Sequence, residues 1–199
     1  MNAGVASGSI LATLPTGQGP REVAISHDRA TAVVTDYGSQ TGGSTPTVID
    51  VPEKRVARTV SLGVYRRPHG IVFMAGDSIV AVTSETNKFL LLVRIATGEI
   101  VKAVPTGQNG SHMVGVTRDG TRGWTGNIGS NKERHRIADK DAGPQGIVFT
   151  PDGKYALLSL STMGRVAIIG VMGRKQVGQL MAGETPDGVA YTAKVFGMK

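Results

Sequence analysis

The sequence predicts an all-β fold, and within that class a β-propeller whose blades are four-stranded antiparallel meanders. A turn followed by a short β-rich run occurs five times along the 199 residues, and later turns divide the intervening chain into further short runs. No window has the apolar spacing of a helix. A four-stranded meander repeating every forty-odd residues is typical of a propeller blade. We therefore expect four to five blades and allow for an incomplete ring.

Each β-rich run starts at an anchor residue in a turn. The anchors are Pro20, Pro68, Ser111, Pro144 and Pro186, at intervals of 48, 43, 33 and 42 residues. The long first interval carries a Gly/Ser/Thr-rich stretch, residues 38–46, that predicts a surface loop. The short third interval lacks roughly ten residues, about one strand with its turn, where residues 131–141 are polar and charged. Three explanations are open: the third blade is damaged, it is replaced by a basic linker, or this segment is the join left by a deletion of whole blades. We favour the deletion.

Three more strands are predicted after the anchored strand of a complete blade. Second strands are expected at 32–35, 79–83, 122–125 and 155–159, third strands at 47–51, 89–95 and 165–171, and fourth strands at 55–61, 99–104 and 176–181. The whole chain, 1–199, is then a single domain. Its repeats span about 20–62, 68–105, 111–141 (degenerate) and 144–181.

The two ends of the chain are expected to share a partial blade. Residues 186–192 would supply its innermost strand and residues 9–14 its outermost strand, with no middle strands between them. An unpaired strand edge invites another chain to pair with it. The sequence therefore predicts self-association through an open blade edge.

Composition excludes several classes of protein. There is no cysteine, so disulfides, thiolate zinc sites and cysteine nucleophiles are excluded. No apolar stretch approaches the ~18–20 residues of a membrane span. The net charge of +7 arises from 22 Lys and Arg against 15 Asp and Glu, spread mostly along the chain, which allows weak attraction to nucleic acid or anionic ligands. The first twenty residues contain no recognisable signal peptide.

Several short motifs together resemble the YVTN-type β-propeller repeats. They include Pro-Asp-Gly at 151–153, Ala-Thr-Gly-Glu at 96–99, Pro-Thr-Gly at 105–107 and Val-Thr-Asp at 34–36. The resemblance covers residues 10–192 except 132–141. It implies a fold similar to the quinoprotein amine dehydrogenase β-chain and related to WD-repeat rings, typically with seven blades, and a periplasmic or secreted location.

The residue after each anchor enters the innermost strand beside the central channel, so these residues are expected to converge on the ring axis and form a polar channel mouth. They are Arg21, His69, His112, Gln145 and Asp187. Further candidates are Glu22 beside Arg21, the residues Asp36, Glu85 and Asn127 at the ends of second strands, and Arg66 and Arg67 in the loop before His69.

Three functions compete for this site. The leading one is a non-enzymatic scaffold, without a cofactor, that binds a protein or a small polar ligand at the channel face. The first alternative is a metal-assisted lactonase-like or lyase-like enzyme with a divalent metal at His69 and His112, although each histidine could instead cap a turn. The second is nucleic-acid binding through the basic surface, with Arg66 and Arg67 on phosphates and Tyr65 stacked on a base.

Overall fold

The computed structural model describes residues 9–129 and 142–191, and these residues form fourteen strands in four separate sheets. The first sheet contains β1 (Pro20–Ile25), β2 (Thr31–Asp36), β3 (Thr45–Asp50) and β4 (Arg55–Thr59). The second contains β5 (Pro68–Phe73), β6 (Ile79–Ser84), β7 (Phe89–Arg94) and β8 (Ile100–Pro105). The third contains β9 (Ser111–Val116) and β10 (Gly123–Asn127), and the fourth contains β11 (Pro144–Phe149), β12 (Tyr155–Leu160), β13 (Arg165–Gly170) and β14 (Lys175–Met181).

Every sheet is an antiparallel meander in which strands adjacent in sequence pair with each other. The predicted all-β fold of meander blades is thereby confirmed, and each predicted second, third and fourth run overlaps an observed strand. One short 3₁₀ turn, Ser161–Met163, is the only helical element among the described residues, and no described helix is long and apolar enough to cross a membrane.

The innermost strands of successive sheets pack side by side. β1 lies against β5, β5 against β9, and β9 against β11. Side-chain hydroxyls join neighbouring sheets: Thr35 donates to the carbonyl oxygen of His69 at 2.8 Å, and Thr83 donates to that of His112 at 2.7 Å. The anchored strands therefore follow one another around a common centre.

The same hydroxyls stabilise a bulge that recurs in the innermost strand. In the first, second and fourth sheets the register breaks between the anchor and the third residue after it, as between Pro68 and Ile71. In the second sheet the Gly70 N–H, freed from the ladder by this break, donates to the Thr83 hydroxyl at 2.8 Å. Thr83 lies fifteen positions after its anchor, and the same offset in the third sheet reaches Gly126. A Cβ there would come within 2.9 Å of the Gln145 carbonyl oxygen, so only glycine allows this close approach.

Apolar side chains pack into two cores. The first lies between the first two sheets and includes Val33, Val82 and Leu91, each with no exposed surface. The second involves the fourth sheet, and Trp124 of β10 packs edge-to-face on Phe149 of β11 at 5.4 Å. Trp124 thus fills a gap between blades.

The chain ends differ from prediction. Residues 9–14 form no strand, so the predicted outermost strand is wrong. Residues 186–191 also form no regular strand, although the Asp187 carbonyl accepts a hydrogen bond from Gly146 N–H at 2.9 Å, as a fifth inner segment would. The polar segment 131–141 lies outside the described residues.

The first sheet leaves one apolar face uncovered. Val23 and Ile25 of β1 are 58% and 60% exposed, whereas their equivalents in β5, Ile71 and Phe73, are 9% and 3% exposed because the first sheet covers them. The four described sheets therefore do not close a ring.

Candidate functional site

The residue before each anchor has a backbone conformation that turns the chain into the innermost strand. Its φ is positive in all five segments, at Gly19, Arg67, Gly110, Gly143 and Thr185. In four of them its carbonyl accepts a hydrogen bond from the N–H of the residue just after the second strand: Tyr37, Glu85, Ile128 and Ser161. Tyr37 and Glu85 therefore occupy equivalent places in the first and second sheets.

Four side chains from the first three sheets form the centre of the site. The rings of His69 and His112 lie 3.7 Å apart, centroid to centroid, and the Tyr37 ring meets His69 edge-on at 5.6 Å. Glu85 joins the group because one of its carboxylate oxygens contacts His112 Nδ1 and the other accepts a hydrogen bond of 2.6 Å from the Tyr37 hydroxyl. This set of four is called the channel cluster below.

Two guanidinium groups flank the cluster. The Arg21 and Arg67 guanidinium carbons lie 4.9 and 4.8 Å from the centroid of the Tyr37 ring, within cation–π range. Neither arginine forms an ion pair with a described carboxylate. Besides its contact with Tyr37, the Arg67 guanidinium makes long contacts, of 3.5 and 3.4 Å, with the carbonyls of Ser39 and Gln40. Guanidinium donors at the channel mouth thus stay available to a ligand.

Burial and neighbouring charges set the protonation states in the cluster. Burial, together with His112 and Arg21, lowers the pKa of His69 to about 4, so its imidazole is neutral near pH 7. Burial alone would raise the pKa of Glu85, but the hydrogen bonds from His112 and Tyr37 outweigh it and lower that pKa. A neutral imidazole beside a carboxylate offers ligands for a cation.

Two further acids lie within electrostatic range. The pKa of Glu22 is raised first by burial and then by the charge of Asp187, and His112 partly opposes this. Glu22 therefore interacts electrostatically with Asp187 and with His112 of the channel cluster.

The remaining predicted residues lie elsewhere. Asp36 is 1% exposed, and its carboxylate accepts hydrogen bonds from Gly17 N–H, Thr45 and Thr47, so it supports the first sheet and does not line the channel mouth. Side chains alternate along a strand, which directs the next residue, Tyr37, to the channel instead.

Arg66, Asn127 and Gln145 show no side-chain contact with the channel cluster. Arg66 is exposed, and its hydrogen bonds are made by its backbone, with Asn87 accepting from its N–H and Ser84 donating to its carbonyl oxygen. The Asn127 amide donates to the carbonyl of Thr125 on its own strand. The predicted base-stacking role of Tyr65 also conflicts with the structure, because its ring packs edge-on against Phe89 at 5.3 Å.

Sequence reasoning missed Tyr37, although a signal was present. Tyr37 stands seventeen positions after Pro20, and Glu85 stands seventeen after Pro68. Comparing equal offsets from each anchor would have paired them.

Comparisons with known proteins support the fold. No known protein family and no curated protein matches the sequence. Among solved structures, the β-propeller domain of Myceliophteria thermophila Cps50 (Swd1) superposes with a TM-score of 0.65 at 14% identity, covering 89% of this chain and 59% of that domain. Kuenenia stuttgartiensis hydrazine synthase superposes with a TM-score of 0.59 at 13% identity, covering 92% of this chain and 80% of that one. The chain has a β-propeller fold and spans 59% of the Swd1 domain.

Proposed function

We propose that the protein is a binding scaffold that holds a carboxylate-bearing ligand, such as an acidic segment of a partner protein, at its channel mouth. The observation that supports this most is the pair of guanidinium groups, Arg21 and Arg67, on either side of Tyr37 with no described carboxylate partner. Arginine donors in a fork match carboxylate geometry. Both guanidinium groups contact the Tyr37 ring, which holds them close to each other.

The backbone at Arg67 supports a functional role for this side chain. Its φ is 54°, and the equivalent position holds glycine before Pro20, Ser111 and Pro144 and threonine before Pro186. A residue with a Cβ is strained by about 1–2 kcal/mol in the left-handed region. Strained backbone positions cluster at binding sites, and Arg67 differs from the other cationic residues at positive φ because its guanidinium lies over the Tyr37 ring of the channel cluster.

A labelled acidic peptide tests this proposal. Fluorescein-labelled hexaglutamate is titrated in ~0.15 M salt and followed by anisotropy, with hexaglutamine as the uncharged reference. We expect the double variant Arg21→Gln/Arg67→Gln to bind hexaglutamate at least about tenfold more weakly than the wild type, the scale of losing charge-assisted hydrogen bonds of about 1.5–3 kcal/mol.

Arg174→Gln is the matched control. Arg174 is also an arginine at positive φ, 50°, but it lies in the hairpin between β13 and β14. Its loss should change the affinity less than about twofold, the range of a screened surface charge. Equal weakening per charge removed, in the double variant and in Arg174→Gln, would mean that the peptide responds to net charge only. Absence of wild-type binding would also reject the proposal.

The first alternative is a metal-assisted lactonase-like or lyase-like enzyme. The observation in its favour is the approach of His69, His112 and Glu85, whose ligand atoms lie within 4.8 Å of one another. Turnover of lactone or ester substrates that requires added metal and is lost in His112→Ala would support it.

Nucleic-acid binding, membership of the YVTN-type group and a periplasmic or secreted location stay predictions. A single-stranded oligothymidylate whose affinity falls steeply with salt, and falls again in Arg66→Gln, would support nucleic acid over an acidic peptide. Tyr65 offers little to such a ligand because it packs on Phe89.

A further inference from the structure

We infer that His69, Glu85 and His112 form a binding site for one divalent transition-metal ion, with Zn²⁺ the best match. One ligand atom from each residue lies within 4.8 Å of the other two. Two imidazoles and one carboxylate are a usual protein ligand set for zinc with a fourth position left open. This site goes beyond ligand binding at Arg21 and Arg67 and does not depend on it.

One ring nitrogen of His69 is buried without a hydrogen-bond partner. His69 is only 8% exposed, and its Nδ1 is buried without a hydrogen-bond partner. Buried polar side-chain atoms in native proteins are nearly always paired, so an unpaired one requires an explanation. A metal ion held by the histidine pair supplies one.

The surrounding residues orient the ligands as metal sites require. Glu85 is held from both sides, by the Tyr37 hydroxyl on one oxygen and by His112 Nδ1 on the other. The hydrogen bond from Tyr37, which lies outside the proposed ligand set, is of the kind that fixes the orientation of a ligating carboxylate and tunes metal affinity. His112 and Glu85 are also largely shielded, with 15% and 12% of their side chains exposed.

The type of ligand atom selects the metal. Imidazole nitrogens favour zinc, copper, nickel and iron, whereas magnesium and calcium prefer oxygen-only sites. Zinc–ligand bonds of about 2.0–2.1 Å place tetrahedral ligands about 3.3 Å apart, so the three groups need to approach by only about 1.5 Å from their widest spacing. The two arginines near the channel cluster, Arg21 and Arg67, are matched by two acids, Glu22 and Asp187. The net charge of these four neighbours is therefore close to zero.

Calorimetry with the metal alone tests the inference. The chelator-treated protein of 199 residues is titrated with ZnCl₂ and separately with MgCl₂. We expect one saturable zinc site per chain and no comparable magnesium site. Replacement of zinc by Co²⁺ should produce the visible absorption of a tetrahedral nitrogen and oxygen site.

Matched variants locate the metal. His112→Ala and Glu85→Gln should each weaken zinc binding at least tenfold, whereas His27→Ala should leave it unchanged, because His27 is an exposed histidine that contacts Asp77 far from the channel cluster. Tyr37→Phe keeps all three ligands, so it should retain one site with affinity reduced about tenfold or more. Circular dichroism checks that each variant is folded. Absence of saturable zinc binding, or equal binding in wild type and a folded His112→Ala protein, would overturn the inference.

Discussion

At the scale of single residues, Arg67 combines a strained backbone with an unpaired charge. Arg67→Gly and Arg67→Ala both remove the guanidinium, but only glycine suits a φ of 54°. We expect the glycine variant to be about 1 kcal/mol more stable than the alanine variant, measured by urea unfolding. Equal stability of the two would show that the positive φ carries no strain.

Asp36 illustrates a buried carboxylate that supports the fold. Burial raises its pKa above the ordinary 3.8, although its hydrogen bonds with Thr47, Thr45 and Gly17 oppose this. The folded chain therefore keeps this proton to higher pH than the unfolded chain, and this residue's contribution to the free energy of unfolding falls as pH rises from 3.8 through the folded pKa.

Asp36→Asn tests this direction. The variant lacks the titration, so its free energy of unfolding minus that of the wild type should become more positive as the pH rises above 3.8. Urea titrations at several pH values measure this difference. A difference that falls with pH would contradict the raised pKa.

At the scale of elements, the hydroxyl that links neighbouring blades is the distinctive feature. Thr83 is completely buried, accepts from Gly70 N–H and donates to the His112 carbonyl. Thr83→Val keeps the shape but leaves both backbone groups unpaired, so we expect a loss of about 2–3 kcal/mol in urea unfolding.

Thr31→Val is the control for that substitution. Thr31 begins β2 of the first sheet, and its hydroxyl forms no hydrogen bond with the residues that the structure describes. It should change the free energy of unfolding by less than about 0.5 kcal/mol. Similar losses in both variants would argue against a special role for the hydroxyl between blades.

The strands could be predicted from the sequence because each blade repeats the same turns and β-rich runs. The closeness of His69 and His112 could be predicted as well, because each histidine directly follows its anchor, Pro68 or Ser111, and therefore occupies an equivalent place in neighbouring blades. Asp36 could not be placed correctly, because one position along a strand reverses the direction of a side chain. The prediction of a strand at residues 9–14 was wrong for another reason. A strand needs a neighbouring strand to pair with, and the pattern of residues within a segment does not show whether one is present.

At the scale of the whole molecule, the uncovered face of the first sheet predicts self-association. Val23 and Ile25 are exposed where the equivalent residues of β5 are buried by a neighbouring blade. Sedimentation velocity should show the wild type associating as concentration rises, and Val23→Lys/Ile25→Lys should shift it towards monomer. Val101→Lys, on the outer strand β8, should leave the association unchanged. A wild type that stays monomeric at every concentration would refute this prediction.

We expect the starts of neighbouring inner strands to gather His69, His112 and Glu85 into one metal-binding site. The most direct measurement is an anomalous difference map from crystals grown with ZnCl₂, with data collected at the zinc absorption edge. We expect one dominant peak between the side chains of His69, His112 and Glu85. A well-resolved channel cluster with no peak there, or a dominant peak at His27 instead, would contradict it.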